Sequence, residues 1–500
     1  MFFPDRMEAL MNYQSTRSSK IKTDPSHAVL QGLAPDGGLY VLPELRSLNF
    51  DWRSTLKQDY YGMAADIVSA LLYDLSREEA LALVRTAYEN RFSSPELTPL
   101  KAVGDDAVLE LFHGPTSAFK DMALCLLPHL MKAAGEKCGE TEDVLILTAT
   151  SGDTGKAAME GFHDVPGIRI IVFYPKSGVS PVQEAQMLSQ VGDNVKVCAV
   201  EGNFDDAQTG VKNIFSQLSG SLRLSSANSI NIGRLVPQVV YYFSAYASML
   251  RLGRISLGDK LDFVVPTGNF GDILAGYIAG ELGLPVGRLV CASNVNNVLT
   301  DFFRTGCYER RRPFHRSLSP SMDILVSSNL ERLLYYLSGD CRLVSSLMSR
   351  LDKDSGYQLP PELLKKAQQR FFAAWCDDIS TVETISSVWQ EHHYLMDTHT
   401  AVAWNVAQQY KAANPGHAPV VVLSTASPYK FPGALMEALK LEHTGDEFAL
   451  MDRIEQFTGV PMPENLRGLR RRPRLHFDCV SKSAMKNYVL EKAAEKVWKK

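Results

Sequence analysis

Four stretches of this chain carry residues able to act together on one small molecule. The first is Phe112-His113-Gly114-Pro115-Thr116-Ser117-Ala118-Phe119-Lys120-Asp121. Leu109 and Leu111 end an apolar run, Gly114-Pro115 breaks it, and Ser117 is placed to cap a helix through Met122, Leu124 and Leu127. Lys120 then falls near the start of an apolar helix. Positive dipole ends and partial loss of hydration there lower the pKa of an amine. An amine that is neutral part of the time attacks aldehydes and forms a Schiff base. A lysine in such a turn is, by itself, more often a surface charge. Three later stretches supply what an aldehyde-bearing phosphate would need.

The second stretch is Thr148-Ala149-Thr150-Ser151-Gly152-Asp153-Thr154-Gly155-Lys156. Its glycines allow a tight turn, and Thr150, Ser151 and Thr154 gather hydroxyls at a helix N-terminus, a cradle for a carboxylate. A plain capped turn would need only one of these hydroxyls. Asp153 suits an alcohol or ring hydroxyl better than an anion.

The third is Val265-Pro266-Thr267-Gly268-Asn269-Phe270-Gly271-Asp272. The amides of Gly268 to Asp272 are expected to converge as a nest for one phosphate, although a bare glycine turn reads the same way locally. The loop lacks the Gly-Lys-Ser/Thr ending of a nucleotide P-loop and the glycine triplet of dinucleotide sites. The fourth is Leu423-Ser424-Thr425-Ala426-Ser427-Pro428-Tyr429-Lys430. A hydroxyl at that strand end can meet a ring nitrogen without holding it protonated, and such residues are also ordinary turn formers.

These stretches must be positioned by a layered α/β fold. From about residue 105, apolar strands alternate with helices, the pattern of a parallel sheet covered on both faces. The clearest strands are Val144–Leu147, Ile170–Phe173, Val195–Val200, Phe263–Val265, Leu289–Ala292 and Val420–Leu423. Ligands in such sheets bind beyond the carboxyl ends of the strands, where the motifs lie. Before them, an early strand near Met11–Arg17, a turn from Gly32 into Leu39-Tyr40-Val41, and two amphipathic helical runs describe a mainly helical N-terminal domain over 1–95. The catalytic core is expected over 96–440, with a mobile small subdomain at about 141–234. A C-terminal helical segment follows over 441–500, ending in an amphipathic helix from Ser481 to Lys500.

With 45% hydrophobic and 22% charged residues over 500 positions, the chain reads as an ordinary multi-domain globular protein. A net charge of -4 offers no field for a polyanion, so nucleic acid is not an expected partner. Eight cysteines without close pairs argue against zinc and redox motifs, and Cys198 and Cys291 read as core thiols of a reducing compartment. No apolar run reaches membrane-spanning length, and the first residues do not read as a signal peptide. The expected setting is cytoplasmic, without membrane partners. Met1, Met7 and Met11 are alternative starts.

Together the four stretches resemble the threonine synthases, pyridoxal-phosphate enzymes of fold type II, the tryptophan-synthase-β-like fold, with the fungal and proteobacterial branch the most similar. Further matches are Ser15-Thr16-Arg17, Asn231-Ile232-Gly233-Arg234, Ser319 to Ile324, Ser327 to Arg332 and Asp397 to Val402. Two positions depart from the family pattern. Asp397-Thr398-His399-Thr400 stands where Asp-Pro-His-Thr is common, and Ser427 where a histidine is common. The resemblance implies that Lys120 carries pyridoxal 5'-phosphate, that Gly268, Asn269, Phe270, Gly271 and Asp272 hold its phosphate, and that Thr425 faces the pyridine nitrogen. Thr150, Ser151, Asp153, Thr154 and Arg234 would face the substrate. No metal is implied, and the assembly would be a monomer or homodimer.

The implied reaction converts O-phospho-L-homoserine and water to L-threonine and phosphate. Lys156, Lys176, Arg234 and Lys430 are candidates for the substrate phosphate, each readable equally as a solvated charge. Two other functions fit the residues: a phospholyase releasing 2-oxobutyrate, phosphate and ammonia, or an inactive relative kept for binding. The intact lysine, phosphate loop and ring-facing hydroxyl count against the latter.

Overall fold

The computed structural model describes residues 12–495 and 498, apart from 141, 151, 177 and 219–220. The three candidate starts lie outside the described residues. Near-continuous Val/Ile/Leu runs, buried on both faces, build two sheets of the parallel type. The larger runs in the order Phe371–Trp375, Val286–Ser293, Leu261–Pro266, Val420–Ser424, Asp106–Glu110, Leu100–Val103. Only the Leu100–Val103 edge is antiparallel to its neighbour. Alternate residues feed different cores. Val108, Val264, Val290 and Val422 join one apolar cluster, while Leu109, Val265, Cys291 and Leu423 join the other.

The second sheet is parallel throughout, in the order Asp478–Ser481, Val195–Glu201, Ile168–Pro175, Val144–Ala149, Leu224–Ser225. Its edge strand Asp478–Ser481 comes from the C-terminal segment. That segment is therefore not wholly helical, and its last helix among the described residues, after Glu447–Thr458, is Met485–Ala494 rather than one beginning at Ser481. Met485, Tyr488 and Val489 pack into the cluster that also holds Leu147, Phe173 and Ile214.

The N-terminal strand Tyr13–Ser15 pairs with Ser18–Thr23 and Tyr40–Val41, ahead of helices Tyr60–Leu71 and Arg77–Tyr88. A capping box starts the last of these: Ser76 Oγ accepts from Glu79 N–H while the Glu79 carboxylate accepts from Ser76 N–H. Helix Tyr60–Leu71 packs on the long helix Ile232–Arg251, which is buried almost all round. Among the described residues, no helix is long and apolar enough to cross a membrane.

Sheet order is what positions the site. Leu261–Pro266, Val420–Ser424 and Asp106–Glu110 are adjacent parallel strands, with Val264 opposite Val422 and Val422 opposite Val108. Their carboxyl ends share one edge, so three of the four motifs emerge side by side.

Candidate active site

Lys120 sits on a clamped turn. A Cβ at Gly114 would lie 2.5 Å from the Asp121 side chain, so only glycine allows this approach. The Asp121 carboxylate accepts from Thr116 N–H at 2.8 Å and Thr116 Oγ1 at 2.6 Å. Ser117 adopts φ +58° and does not cap the helix; its Oγ donates to Asn465 Oδ1 at 2.9 Å, and Asn465 Nδ2 donates to Pro115 O at 2.7 Å. The helix opened by Lys120 ends at Leu124. A helix that short has a weak dipole, which leaves burial as the main reason for a lowered amine pKa. With its side chain 13% exposed, Lys120 has its pKa pushed down by desolvation; Lys430 and Arg234 push the same way and Asp153 opposes. Lys120 Nζ donates to Ser321 Oγ at 3.2 Å and lies 3.9 Å from Asp153 Oδ2.

The strand end carrying Thr425 is stitched to the same turn. Leu111 N–H donates to Ser424 O, Phe119 N–H to Thr425 O and Ser427 N–H to Ser117 O. Ser424 Oγ is hydrogen-bonded to Thr400 Oγ1 at 2.9 Å. Thr425, the residue after the strand, is buried.

In the glycine loop the carbonyls are taken from outside. Gly268 O accepts from Ser327 Oγ at 2.7 Å, and Asn269 O accepts from Asn329 N–H at 3.1 Å. Phe270 holds φ +64° just before helix Gly271–Glu281, with its ring against Phe303 and Phe371. The first N–H groups of that helix have no intrahelical acceptors. The Asp272 side chain turns away from this nest: its Oδ1 accepts from Tyr241 OH at 2.5 Å and Tyr242 OH at 3.1 Å. Burial pushes its pKa up to about 7 against those two donors. What Asp272 can offer a phosphate is its backbone N–H.

The second sheet delivers the remaining motif, the Thr148–Lys156 stretch, at the end of Val144–Ala149. Thr150 Oγ1 accepts from Gly152 N–H at 3.0 Å and Gly155 N–H at 2.9 Å, so this hydroxyl is spent on the turn. Ser151 lies outside the described residues. Thr154 is half-buried in the first turn of helix Asp153–Phe162. Asp153 pairs with Lys430 at 2.7 Å and accepts from Gln183 Nε2 at 3.1 Å. Burial raises its pKa, but Lys430, Lys120 and the two hydrogen bonds override this and hold the carboxyl well below the usual range.

Of the candidate phosphate cations, Lys156 is committed to Glu160 and Gln190, and Lys176 is exposed. Arg234 Nη1 donates to Ala227 O at 2.6 Å, while burial lowers the guanidinium pKa to about 10. Sequence reasoning missed Asn465 and left Ser321 and His399 without roles, although the last two lie in quoted matches. His399 Nε2 accepts from Ser321 N–H at 3.1 Å, which leaves Nδ1–H to donate to Asp397 Oδ2 at 2.6 Å.

The donor set fits pyridoxal phosphate. A Cβ at Gly271 would meet nothing nearer than Asn329 Nδ2 at 3.5 Å, so the cradle above this glycine is open. Among the described residues Arg234 Nε and Ser427 Oγ are buried without a partner. Lys120 and the glycine loop meet at Ser321: Lys120 Nζ donates to its Oγ, and a Cβ at Gly268 would lie 2.6 Å from its backbone oxygen. Family profiles match in three parts: "Threonine synthase N terminus" over 12–88, "Pyridoxal-phosphate dependent enzyme" over 98–426 and "Threonine synthase, C-terminal" over 400–488. The Schizosaccharomyces pombe threonine synthase is 36% identical over 467 residues, which cover 87% of this chain and 90% of that protein.

This chain belongs to the threonine synthase family.

A crystal structure of the pyridoxal-phosphate-bound threonine synthase from Brucella melitensis superposes with a TM-score of 0.86 at 37% identity, covering 97% of this chain and all of that one. The fold type II expected from the resemblance is the fold observed. Human threonine synthase-like 1 is 40% identical over 442 residues, 84% of this chain, and the chain spans 58% of that relative's length. At the departures from the threonine synthase pattern, Thr398 Oγ1 and Ser427 Oγ are both buried without partners among the described residues.

Proposed function

We propose that this chain converts O-phospho-L-homoserine and water to L-threonine and phosphate, as a carbon–oxygen lyase. The observation that supports this most is the presence of two different anion-binding arrangements beside one lysine. The 268–272 loop offers amides without a cationic side chain, suited to a permanently held phosphate. Lys430 and Arg234, both buried and both close enough to depress Lys120, offer cations suited to an anion that comes and goes.

Bound pyridoxal phosphate supplies an electron sink for negative charge at the substrate's Cα and Cβ. The chain supplies positioning and proton transfer. Lys120 Nζ, with its lowered pKa, takes protons from Cα and Cβ and returns protons to Cγ, as phosphate leaves it, and to Cα, while the water oxygen adds at Cβ; Ser321 Oγ holds the amine in place. The Thr150–Thr154 turn receives the substrate carboxylate through helix N–H groups, and Arg234 with Lys430 receives its phosphate. Thr425 faces the ring nitrogen as a neutral partner. The small subdomain around the second sheet closes over the substrate, with the Asp153–Lys430 pair among its contacts to the core. Buried thiols such as Cys125 and Cys291 support a cytoplasmic setting, and a monomer or homodimer is the assembly.

Incubation of the purified protein with phosphohomoserine tests this reading. Equal amounts of threonine and phosphate, lost in Lys120→Ala, are expected. Release of 2-oxobutyrate and ammonia would make the protein a phospholyase, and no turnover at all would leave it a binding protein.

A further inference from the structure

Helix Pro25–Gln31 of the N-terminal domain packs on helix Leu127–Lys137 of the core, and three metal-binding side chains of different kinds meet where they touch. Asp24 caps the first helix, its Oδ1 accepting from His27 N–H at 2.8 Å. Its Oδ2 lies 2.7 Å from His27 Nδ1, and Cys138 Sγ lies 3.6 Å from the same nitrogen. All three donor atoms fall within 4.8 Å of one another.

That the thiol and the carboxylate face one ring nitrogen decides what this cluster can do. A nucleophile relay needs the thiol on one imidazole nitrogen and the carboxylate on the other. Here the donors converge on a point, as around a cation. We propose that Asp24, His27 and Cys138 bind a zinc-class divalent cation that ties the N-terminal domain to the catalytic core.

Tetrahedral zinc with bonds of about 2.0 Å to nitrogen and 2.3 Å to sulfur separates those two ligands by roughly 3.5 Å, close to the 3.6 Å found between His27 Nδ1 and Cys138 Sγ. Asp24 Oδ2 would retreat by roughly 0.7 Å to reach a bond length of about 2.1 Å, an easy rotation for an exposed side chain. Its Oδ1, kept on the His27 amide, fixes the carboxylate's orientation as outer-shell partners do. The exposure of Asp24 and His27 leaves the fourth position to water.

The surroundings carry charges of both signs. Asp74 accepts from Ser26 N–H at 2.9 Å, and Glu140 pairs with Arg223 at 3.2 Å.

The test uses full-length protein carrying its cofactor, stripped of metal and titrated with cobalt(II), and it does not depend on which reaction the enzyme performs. A thiolate-to-cobalt charge-transfer band in the difference spectrum is expected, saturating at one equivalent and displaced by zinc. Cys138→Ser should abolish the band while leaving turnover unchanged, and His27→Ala should weaken binding at least tenfold. Absence of a saturable band, or its survival in Cys138→Ser, would overturn the proposal. Circular dichroism confirms that both variants are folded before either result is read.

Discussion

Lys430 Nζ stands 2.7 Å from Asp153 Oδ1, with the two side chains 0% and 3% exposed. The pair joins the strand end of the larger sheet to the helix start of the smaller one, beside Lys120. Removing one partner of a buried pair strands the other charge and costs about 3–5 kcal/mol, whereas an apolar replacement of both costs far less.

Lys430→Met should therefore lower the urea midpoint sharply, and adding Asp153→Leu should recover much of the loss. The Asp153 carboxyl is held below its ordinary value of about 3.9, so its contribution is full above that pH and is lost as pH falls through the folded value. The Lys430→Met deficit should be largest at neutral pH and shrink below about pH 4. A double variant no better than the single one would show that the two charges are not coupled.

Gly271→Ala places a methyl group in the open cradle without striking protein atoms. In a helix first turn alanine is favoured over glycine by up to about 1 kcal/mol, so cofactor-free protein should be as stable as before or more so. Retention of the cofactor on dialysis should fall instead. If only the substrate KM rose, the two anion sites would be exchanged.

Thr425→Val should lower kcat roughly 10-fold or more while the cofactor stays bound. Ser424→Ala removes the bond to Thr400 and should cost about 1 kcal/mol of stability with little change in rate. Thr425→Asp should favour a protonated ring nitrogen and raise abortive transamination relative to threonine formation. A silent Thr425→Val beside a crippling Ser424→Ala would shift the register of this strand end by one residue.

Asn465→Ala frees both ends of the Pro115–Ser117 turn, where Ser117 is held at φ +58°. We expect kcat to drop roughly 10- to 100-fold with KM little changed, because misplacing Lys120 affects proton transfer more than binding. Asn465→Asp keeps the acceptor for Ser117 and should recover part of the rate. Equal losses in both variants would point to a general loss of folding, checked by their urea midpoints.

Asp272 carries the pH signature. Its folded pKa of about 7 lies above the ordinary value, so the folded state holds the proton more tightly than the unfolded chain. Stability from this group is full below about pH 4 and is lost as pH rises toward 7. Asp272→Asn keeps an acceptor for Tyr241 and Tyr242, so its stability relative to the native protein should improve steadily across that window and level off above it. A difference that ignores pH would mean that Asp272 is already ionised at pH 4 in the folded protein.

What the sequence determined by itself was written in neighbouring residues. Apolar runs such as Val144–Leu147 and Val420–Leu423 specify strands, and the glycine turns after them specify where a ligand can approach, because pleat period and turn chemistry are short-range. The Gly114-Pro115 break, the 268–272 turn and the strand end before Thr425 were legible in this way. Tertiary structure decided everything that depends on the chain returning to itself. The run Phe371–Trp375 follows its helix without a glycine or proline to mark it, yet it forms an edge of the larger sheet. Asp478–Ser481 is short and largely exposed and becomes a strand only because Val195–Glu201 offers an unpaired edge. Ser117 looks like a helix cap until Asn465, far along the chain, takes its hydroxyl. Asp153 looks misplaced in an anion cradle until Lys430 arrives from the other sheet. Sequence patterns record local geometry; partners hundreds of residues apart are chosen by packing and by the cost of leaving a buried charge alone.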